Sequence, residues 1–180
     1  MKVVIIGKGE MLSNLIEGTI DGGCEIVGVL RYERIKLPKF VLAVRDFFKS
    51  SPDVTIIKQH KIHEIKCKSV NSEAFKKEVL KLNADVILVG TWAEKIKQDV
   101  INMPVIASVN VHPSFLPKYR GPNPYLQTIL HQESKSGITF HLMNDEFDKG
   151  AIVAQKEIPI FPNDTSKELK ERTVFQARLM

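Results

Sequence analysis

Residues 2–6, KVVII, close on Gly7-Lys8-Gly9, and the chain then sets Met11, Leu12, Leu15, Ile16 and Ile20 at helical spacing. A strand whose centre has no polar position must be covered on both faces, and helices on both sides of a parallel sheet do that. Gly22-Gly23 stops the helix and CEIVGVL (24–30) follows as a second apolar strand, so the chain opens with a βαβ unit of the parallel type. This opening restricts the remainder to an α/β architecture.

Later segments continue the alternation. Phe40, Ala43, Val44, Phe47 and Phe48 trace one helical face, and VTIIK (54–58) reads as a third strand. QHKIHEIKCKSV (59–70) is polar and weakly patterned, a loop able to hold a short strand. Helical spacing resumes from Glu73 to Leu82, ADVILVG (84–90) is a buried strand, and a short helix around 94–101 leads to the strand VIASVNVH (105–112). GITFHLM (137–143) and AIVAQKEIPI (151–160) complete the strands, and Thr165-Ser166-Lys167-Glu168 has the capping-box form that opens a last helix. The expected fold is a Rossmann-like, mostly parallel sheet flanked by helices, with any ligand beyond the carboxyl ends of the strands.

A chain of 180 residues with 43% hydrophobic content is enough for one domain with its own core. No apolar run approaches the roughly 18 residues of a membrane span. The amino terminus also lacks a signal-peptide layout, so a cytoplasmic location is expected. Cys24 and Cys67 lack metal-ligand spacing and read as free thiols. A net charge of +5 favours a polyanionic partner or substrate, although a solvated lysine face explains the same balance.

Several motifs hold candidate chemistry. Gly7-Lys8-Gly9 could offer backbone N–H groups to an anion, or be a tight turn with no ligand. A nicotinamide dinucleotide is disfavoured, because Leu12 stands in place of the third glycine and Leu30-Arg31 replace the acidic residue expected after the second strand. His60 and His63 have no third or fourth ligand nearby, so no metal is expected, and His131 and His141 read as a surface and a strand histidine.

Asn110-x-His112 differs in kind. Alternate strand residues share a face, so an amide and an imidazole stand side by side at the mouth of the sheet. Both can donate to a carbonyl oxygen that gains negative charge, provided a carboxylate supports the imidazolium. Asp148, in the turn Asp148-Lys149-Gly150, is the sequence candidate for that carboxylate.

NVHPSFLPKYRGPNPYLQTIL and GITFHLMNDEFDKGAIVAQKEIPI carry Asn-x-His, Ser-x-Leu-Pro, Tyr-Arg-Gly, Gly-Ile-Thr and Asp-x-Gly in order, with looser similarity upstream through VGTWAEKIKQDVINMP. This set resembles the catalytic domain of the folate-dependent formyltransferases, and the resemblance implies the formyltransferase fold over residues 1–180. It implies 10-formyltetrahydrofolate as donor, a primary amine as acceptor, no metal, and Asn110, His112 and Asp148 as the catalytic trio. The pterin is expected against the strand end with Leu88, Val89, Gly90 and Trp92 and the turn with Met143, Asn144 and Asp145. Gly7, Gly9, Ser114 and Arg120 are the expected acceptor-side residues, and Arg120 reads equally as a loop arginine pairing with a local carboxylate. Tyr119-Arg120-Gly121 goes with the methionyl-tRNA and sugar-nucleotide branches, whereas GKGEMLSN is similar to the phosphate loop of the glycinamide ribonucleotide branch. NPY is also similar to the formyltetrahydrofolate hydrolases. Initiator methionyl-tRNA is the leading acceptor, followed by an amino-sugar nucleotide or glycinamide ribonucleotide. Water as acceptor and a non-catalytic folate-binding module complete the alternatives. The methionyl-tRNA branch carries a further C-terminal barrel, so the chain is expected to be either an excised catalytic domain or a shorter relative.

Overall fold

The structure, a computed structural model, describes residues 1–32 and 51–180. The helical face expected over Phe40–Phe48 lies outside the described residues. The strands are β1 (Lys2–Gly7), β2 (Glu25–Arg31), β3 (Val86–Gly90), β4 (Ala107–His112), β5 (Lys135–Leu142) and β6 (Ile152–Pro159). They form one sheet in the order β2-β1-β3-β4-β5-β6. The first four run parallel, and β5 and β6 join antiparallel. The helices are α1 (Gly9–Asp21), α2 (Pro52–Gln59), α3 (Glu73–Leu82), α4 (Gln98–Ile101), α5 (Pro124–Leu130) and α6 (Ser166–Arg178).

The all-apolar centre of β1 behaves as its pattern requires. Val3 and Ile5 face the layer holding Leu12, Leu15 and Ile16 of α1 and Leu169 and Val174 of α6. Val4 and Ile6 face the opposite layer, with Phe75 and Val79 of α3 and Val100 of α4. Alternate side chains of one strand thus enter two separate cores. Thr165 caps α6 through its side chain, and Glu168 returns to the backbone of Thr165 in a complete capping box.

Two readings need correction. VTIIK is not a strand: residues 52–59 form α2, begun by Ser51 and Pro52, with Pro favoured in the first helical turn. Its buried residues Asp53, Val54, Ile56 and Ile57 lie on one helical face, with Thr55 and Lys58 exposed on the other. The β-branched run favours a strand, and packing of Ile56 and Ile57 into the α1 core overrides that propensity. In the segment 59–70 the strand content shrinks to one bridge, with Val29 N–H donating to the His63 carbonyl and Ile65 N–H to the Val29 carbonyl. Helix α5, with Pro124 at its start, has no counterpart in the pattern reading. No helix among the described residues is long and apolar enough to cross a membrane.

Candidate active site

β4 ends at His112, and Asn110 and His112 share the face that opens beyond the strand ends. Antiparallel pairing with β5 sets His141 opposite Asn110 and Thr139 opposite His112. The loop after β4 is fastened from below by Thr139, which is fully buried. Its hydroxyl donates to the Ser114 carbonyl (2.7 Å) and accepts from Leu116 N–H (3.2 Å) and Gln155 Nε2 (2.9 Å). Ser114 donates to the Lys118 carbonyl at 2.7 Å. The prolines interrupt the strand, and these bonds meet the polar groups the sheet no longer serves.

Asp148 arrives from the turn between β5 and β6, in the left-handed backbone region at φ 53°. Gly150 lets that turn press against the end of β5, since a Cβ at this position would lie 1.7 Å from the Leu142 carbonyl oxygen. The Asp148 carboxylate then bridges the elements. Oδ2 accepts from Gly121 N–H at 2.8 Å and lies 3.4 Å from His112 Nδ1. Oδ1 accepts from Asn110 Nδ2 at 3.2 Å and lies 3.4 Å from His141 Nε2. Side chains separated by up to 38 positions meet around one carboxylate.

The hydrogen-bond partners define each group's chemistry. His112 Nε2 is 2.8 Å from the Tyr119 carbonyl oxygen, which only accepts, so Nε2 carries a proton and Nδ1 is the nitrogen facing Asp148. Burial pushes the His112 pKa below its ordinary value, opposed by the Tyr119 carbonyl and the Asp148 charge and assisted by His141. For Asp148, burial is the largest influence and acts upward. His141, the His112 charge and the Gly121 N–H together outweigh it and hold the carboxyl below its ordinary range. His141 Nδ1 faces the Leu142 carbonyl at 2.9 Å, leaving Nε2 to accept from Asn110 Nδ2 at 3.0 Å. Both amide hydrogens of Asn110 are therefore engaged, so donation to a ligand oxygen requires one of these bonds to exchange.

A cleft of about 640 Å³ opens over this cluster, within the usual size range of small-molecule sites. Asn110, His112, His141 and Asp148 line it, together with Val89, Trp92, Met143, Asn144 and Asp145. Leu88 and Gly90 are not among its lining: Leu88 packs on the core, and a Cβ at Gly90 would strike Leu15 and Met11 of α1. Ser114 is fully buried beneath the loop, and Arg120 donates through Nε to the Asp148 carbonyl at 2.9 Å. Gly7 lies against the Gly90 carbonyl oxygen, where a Cβ would sit at 2.4 Å. Gly9 adopts φ 57°, and its N–H donates to Asp53 Oδ2 at 2.9 Å. An internal carboxylate, only 3% exposed and bonded also by Ser51, thus takes the place at the α1 terminus that an external anion would need. Lys8 lines the cleft, its ammonium 5.2 Å from the centre of the Tyr32 ring.

Sequence reasoning read His141 only as a strand histidine and passed over Thr139 and the Tyr119 carbonyl. Thr139 and His141 stand two apart in β5, as Asn110 and His112 do in β4, but only the pairing register makes them opposite numbers. Among the described residues no group of three or more His, Cys, Asp and Glu is arranged to hold a metal ion. His63 Nε2 meets Glu78 at 3.0 Å instead.

The family model described as formyl transferase matches residues 1–179. The chain belongs to the formyl transferase family. A methionyl-tRNA formyltransferase of Ehrlichia canis is 32% identical over 176 residues, covering 96% of this chain and 56% of the relative. One of Thermotoga maritima is 28% identical over 174 residues, covering 97% and 54%. The chain thus spans about half the length of these relatives. Among solved structures, glycinamide ribonucleotide transformylase 1 of Symbiobacterium toebii superposes with a TM-score of 0.80 at 15% identity, covering 100% of this chain and 83% of that one. A formyltetrahydrofolate deformylase of Pseudomonas syringae pv. tomato gives 0.71 at 20%, covering 98% and 56%. At such identities the structural likeness speaks for the shared formyl transferase fold.

Proposed function

We propose that this chain transfers the formyl group of 10-formyltetrahydrofolate to a primary amine, with the amino group of initiator methionyl-tRNA the leading acceptor and the cytoplasm the site of action. The observation that carries the reading is the Asp148 carboxylate lying between His112 and the Asn110–His141 pair at the mouth of a folate-sized cleft.

The chemistry follows from the protonation pattern. Amine attack on the formyl carbon forms a C–N bond and places negative charge on the formyl oxygen. The attacking nitrogen must lose a proton, and the departing folate nitrogen must gain one. A neutral His112 with its proton on Nε2 presents Nδ1 as acceptor for the first transfer. The imidazolium so formed is flanked by two acceptors, the Tyr119 carbonyl and Asp148. The cluster therefore suits the ring better during the reaction than at rest, the condition under which binding energy accelerates chemistry. Nδ1–H then returns the proton to the folate nitrogen as the old C–N bond breaks. This assignment revises the expectation of a ring protonated from the outset, because burial favours the neutral resting form. Asn110 donates to the oxyanion once it exchanges its 3.2 Å bond to Asp148.

Donor recognition falls to Val89, Trp92, Met143, Asn144 and Asp145, where one wall mixes apolar surface with polar groups. The Trp92 indole nitrogen is buried without a hydrogen-bond partner among the described residues, a donor left over for a ligand's acceptor. On the acceptor side, Asp53 at the Gly9 N–H weighs against an acceptor anchored there by a phosphate, and so against glycinamide ribonucleotide. The net charge of +5 suits a polyanionic acceptor such as tRNA. A purely folate-binding module would have no need for a carboxylate held among two imidazoles and an amide.

The test is direct. Purified protein is given 10-formyltetrahydrofolate with methionyl-tRNA, an amino-sugar nucleotide, glycinamide ribonucleotide or water alone, and tetrahydrofolate release is followed. Release with methionyl-tRNA, abolished in His112→Ala, is expected. Absence of turnover with every acceptor overturns the reading.

A further inference from the structure

Three consecutive residues of the loop after β4 grip both titratable partners of the cluster. The Tyr119 carbonyl accepts from His112 Nε2 at 2.8 Å, Arg120 Nε donates to the Asp148 carbonyl at 2.9 Å, and Gly121 N–H donates to the Asp148 carboxylate at 2.8 Å. The loop is itself fixed on its outer side, because Lys118 Nζ and the Tyr119 hydroxyl both donate to Glu133 Oε1, at 2.9 and 2.8 Å. Tyr119 and Gly121 are both in the left-handed region, at φ 56° and 84°, which turns successive carbonyl and amide groups toward opposite partners.

Arg120 stands apart from the cleft. It is exposed and absent from the cleft lining, whereas its neighbour Gly121 lines it. Its side chain reaches instead to the main chain of a residue held in the left-handed region at φ 53°. Such a conformation is uncommon for a residue other than glycine and persists where neighbours hold it. Gly121 holds the Asp148 side chain and Arg120 its backbone, so the pair fixes the direction in which the carboxylate points.

We propose that Arg120 is a positioning residue that locks the Asp148 turn against His112, and that it acts on the reaction through Asp148 without touching the acceptor amine. The proposal rests on the formyl-transfer reading for its kinetic consequence, but its structural consequence is measurable without turnover. Without Arg120 the turn relaxes and the carboxylate loses its aim at His112 Nδ1. The charged and titratable groups facing that ring in the cluster are Asp148 and His141, and of these only Asp148 supports the imidazolium.

The experiment compares the unaltered chain with Arg120→Ala, Arg120→Gln and Arg120→Lys. The pH titration of the His112 ring protons by NMR is the first readout. The Ala variant should titrate at lower pH than the unaltered chain, whereas Gln and Lys, which retain N–H donors for the Asp148 carbonyl, should restore part of the difference. Steady-state kinetics form the second arm. The Ala variant should lose about tenfold or more in kcat, with KM for donor and acceptor within about threefold of the unaltered chain. A raised acceptor KM with kcat and the His112 titration unchanged would make Arg120 an acceptor contact and overturn the proposal. If Arg120→Ala does not fold, Arg120→Met, which keeps the aliphatic stem and lacks the donor, takes its place with the same expected and overturning results. If the unaltered chain turns nothing over, the titration decides alone: a shift to lower pH in the donor-less variant supports positioning, and an unmoved titration overturns it.

Discussion

Asp148→Asn keeps the shape of the side chain and removes its charge, which makes it the sharpest probe of the cluster. His112 Nδ1 lies 3.4 Å from Asp148 Oδ2. At an effective dielectric of about 20, a cation and an anion at that separation attract by about 5 kcal/mol. That attraction exists only while His112 is an imidazolium, which under the proposed mechanism is mainly the transition state, and it bounds the loss of rate. An Asn carbonyl can replace part of it, so kcat should fall by about 100- to 1,000-fold, or about 3–4 kcal/mol. Stability should respond differently. The carboxylate accepts from Asn110 on one oxygen and Gly121 on the other, and an amide can serve only one of these donors, leaving the second unpaired at a cost of about 1–3 kcal/mol. Removing a half-buried charge offsets part of that cost, so the net loss should stay below about 2 kcal/mol, or about 4–8 °C in Tm. Tetrahydrofolate release at saturating donor and acceptor gives kcat, and thermal unfolding gives the second quantity. A variant retaining activity within about fivefold would refute the assignment, since that is less than about 1 kcal/mol of transition-state stabilisation.

Other consequences are measurable separately. Trp92 is the sole tryptophan and lines the cleft, so a non-reactive folate analogue should change the intrinsic fluorescence saturably; an unchanged spectrum with calorimetrically proven binding would remove Trp92 from the donor site. Gly150→Ala places a Cβ 1.7 Å from a backbone oxygen that no rotamer change can move, so destabilisation of about 1–3 kcal/mol or more is expected in urea unfolding; an unaltered midpoint would show that the turn does not need this close approach. Because burial lowers the folded-state pKa of His112 from 6.5, the unfolded chain binds the extra proton first. The contribution of His112 to stability is thus complete above about pH 6.5 and is lost as pH falls through its lower folded value. His112→Asn should flatten unfolding free energy against pH in that window, and an identical slope in both proteins would contradict the burial argument.

What could be read from the sequence was local. The apolar centre of β1 announced coverage on two faces, and Val3, Val4, Ile5 and Ile6 divide between two cores accordingly. The capping box at Thr165 is a matter of four neighbouring residues and forms as written. Asn110 and His112 share a face because strand geometry repeats every second residue, independent of what the strand meets. The same local reasoning failed at VTIIK, where β-branched residues suit a strand but the buried set Asp53, Val54, Ile56 and Ile57 belongs to a helix lying on α1.

The remainder depended on contacts between distant segments, whose choice is a sum over packing that no short window contains. The antiparallel register of β4 and β5 set His141 beside Asn110, and a shift of one residue would have turned it to the other face. Asp53 filled the Gly9 amide from 44 positions away, which no glycine motif announces. The pairing of Asn110 with His112 was therefore legible from side-chain type and strand parity, whereas the approach of Asp148 and His141, and with it the protonation of His112 and the engagement of Asn110, followed from the neighbours the fold supplied.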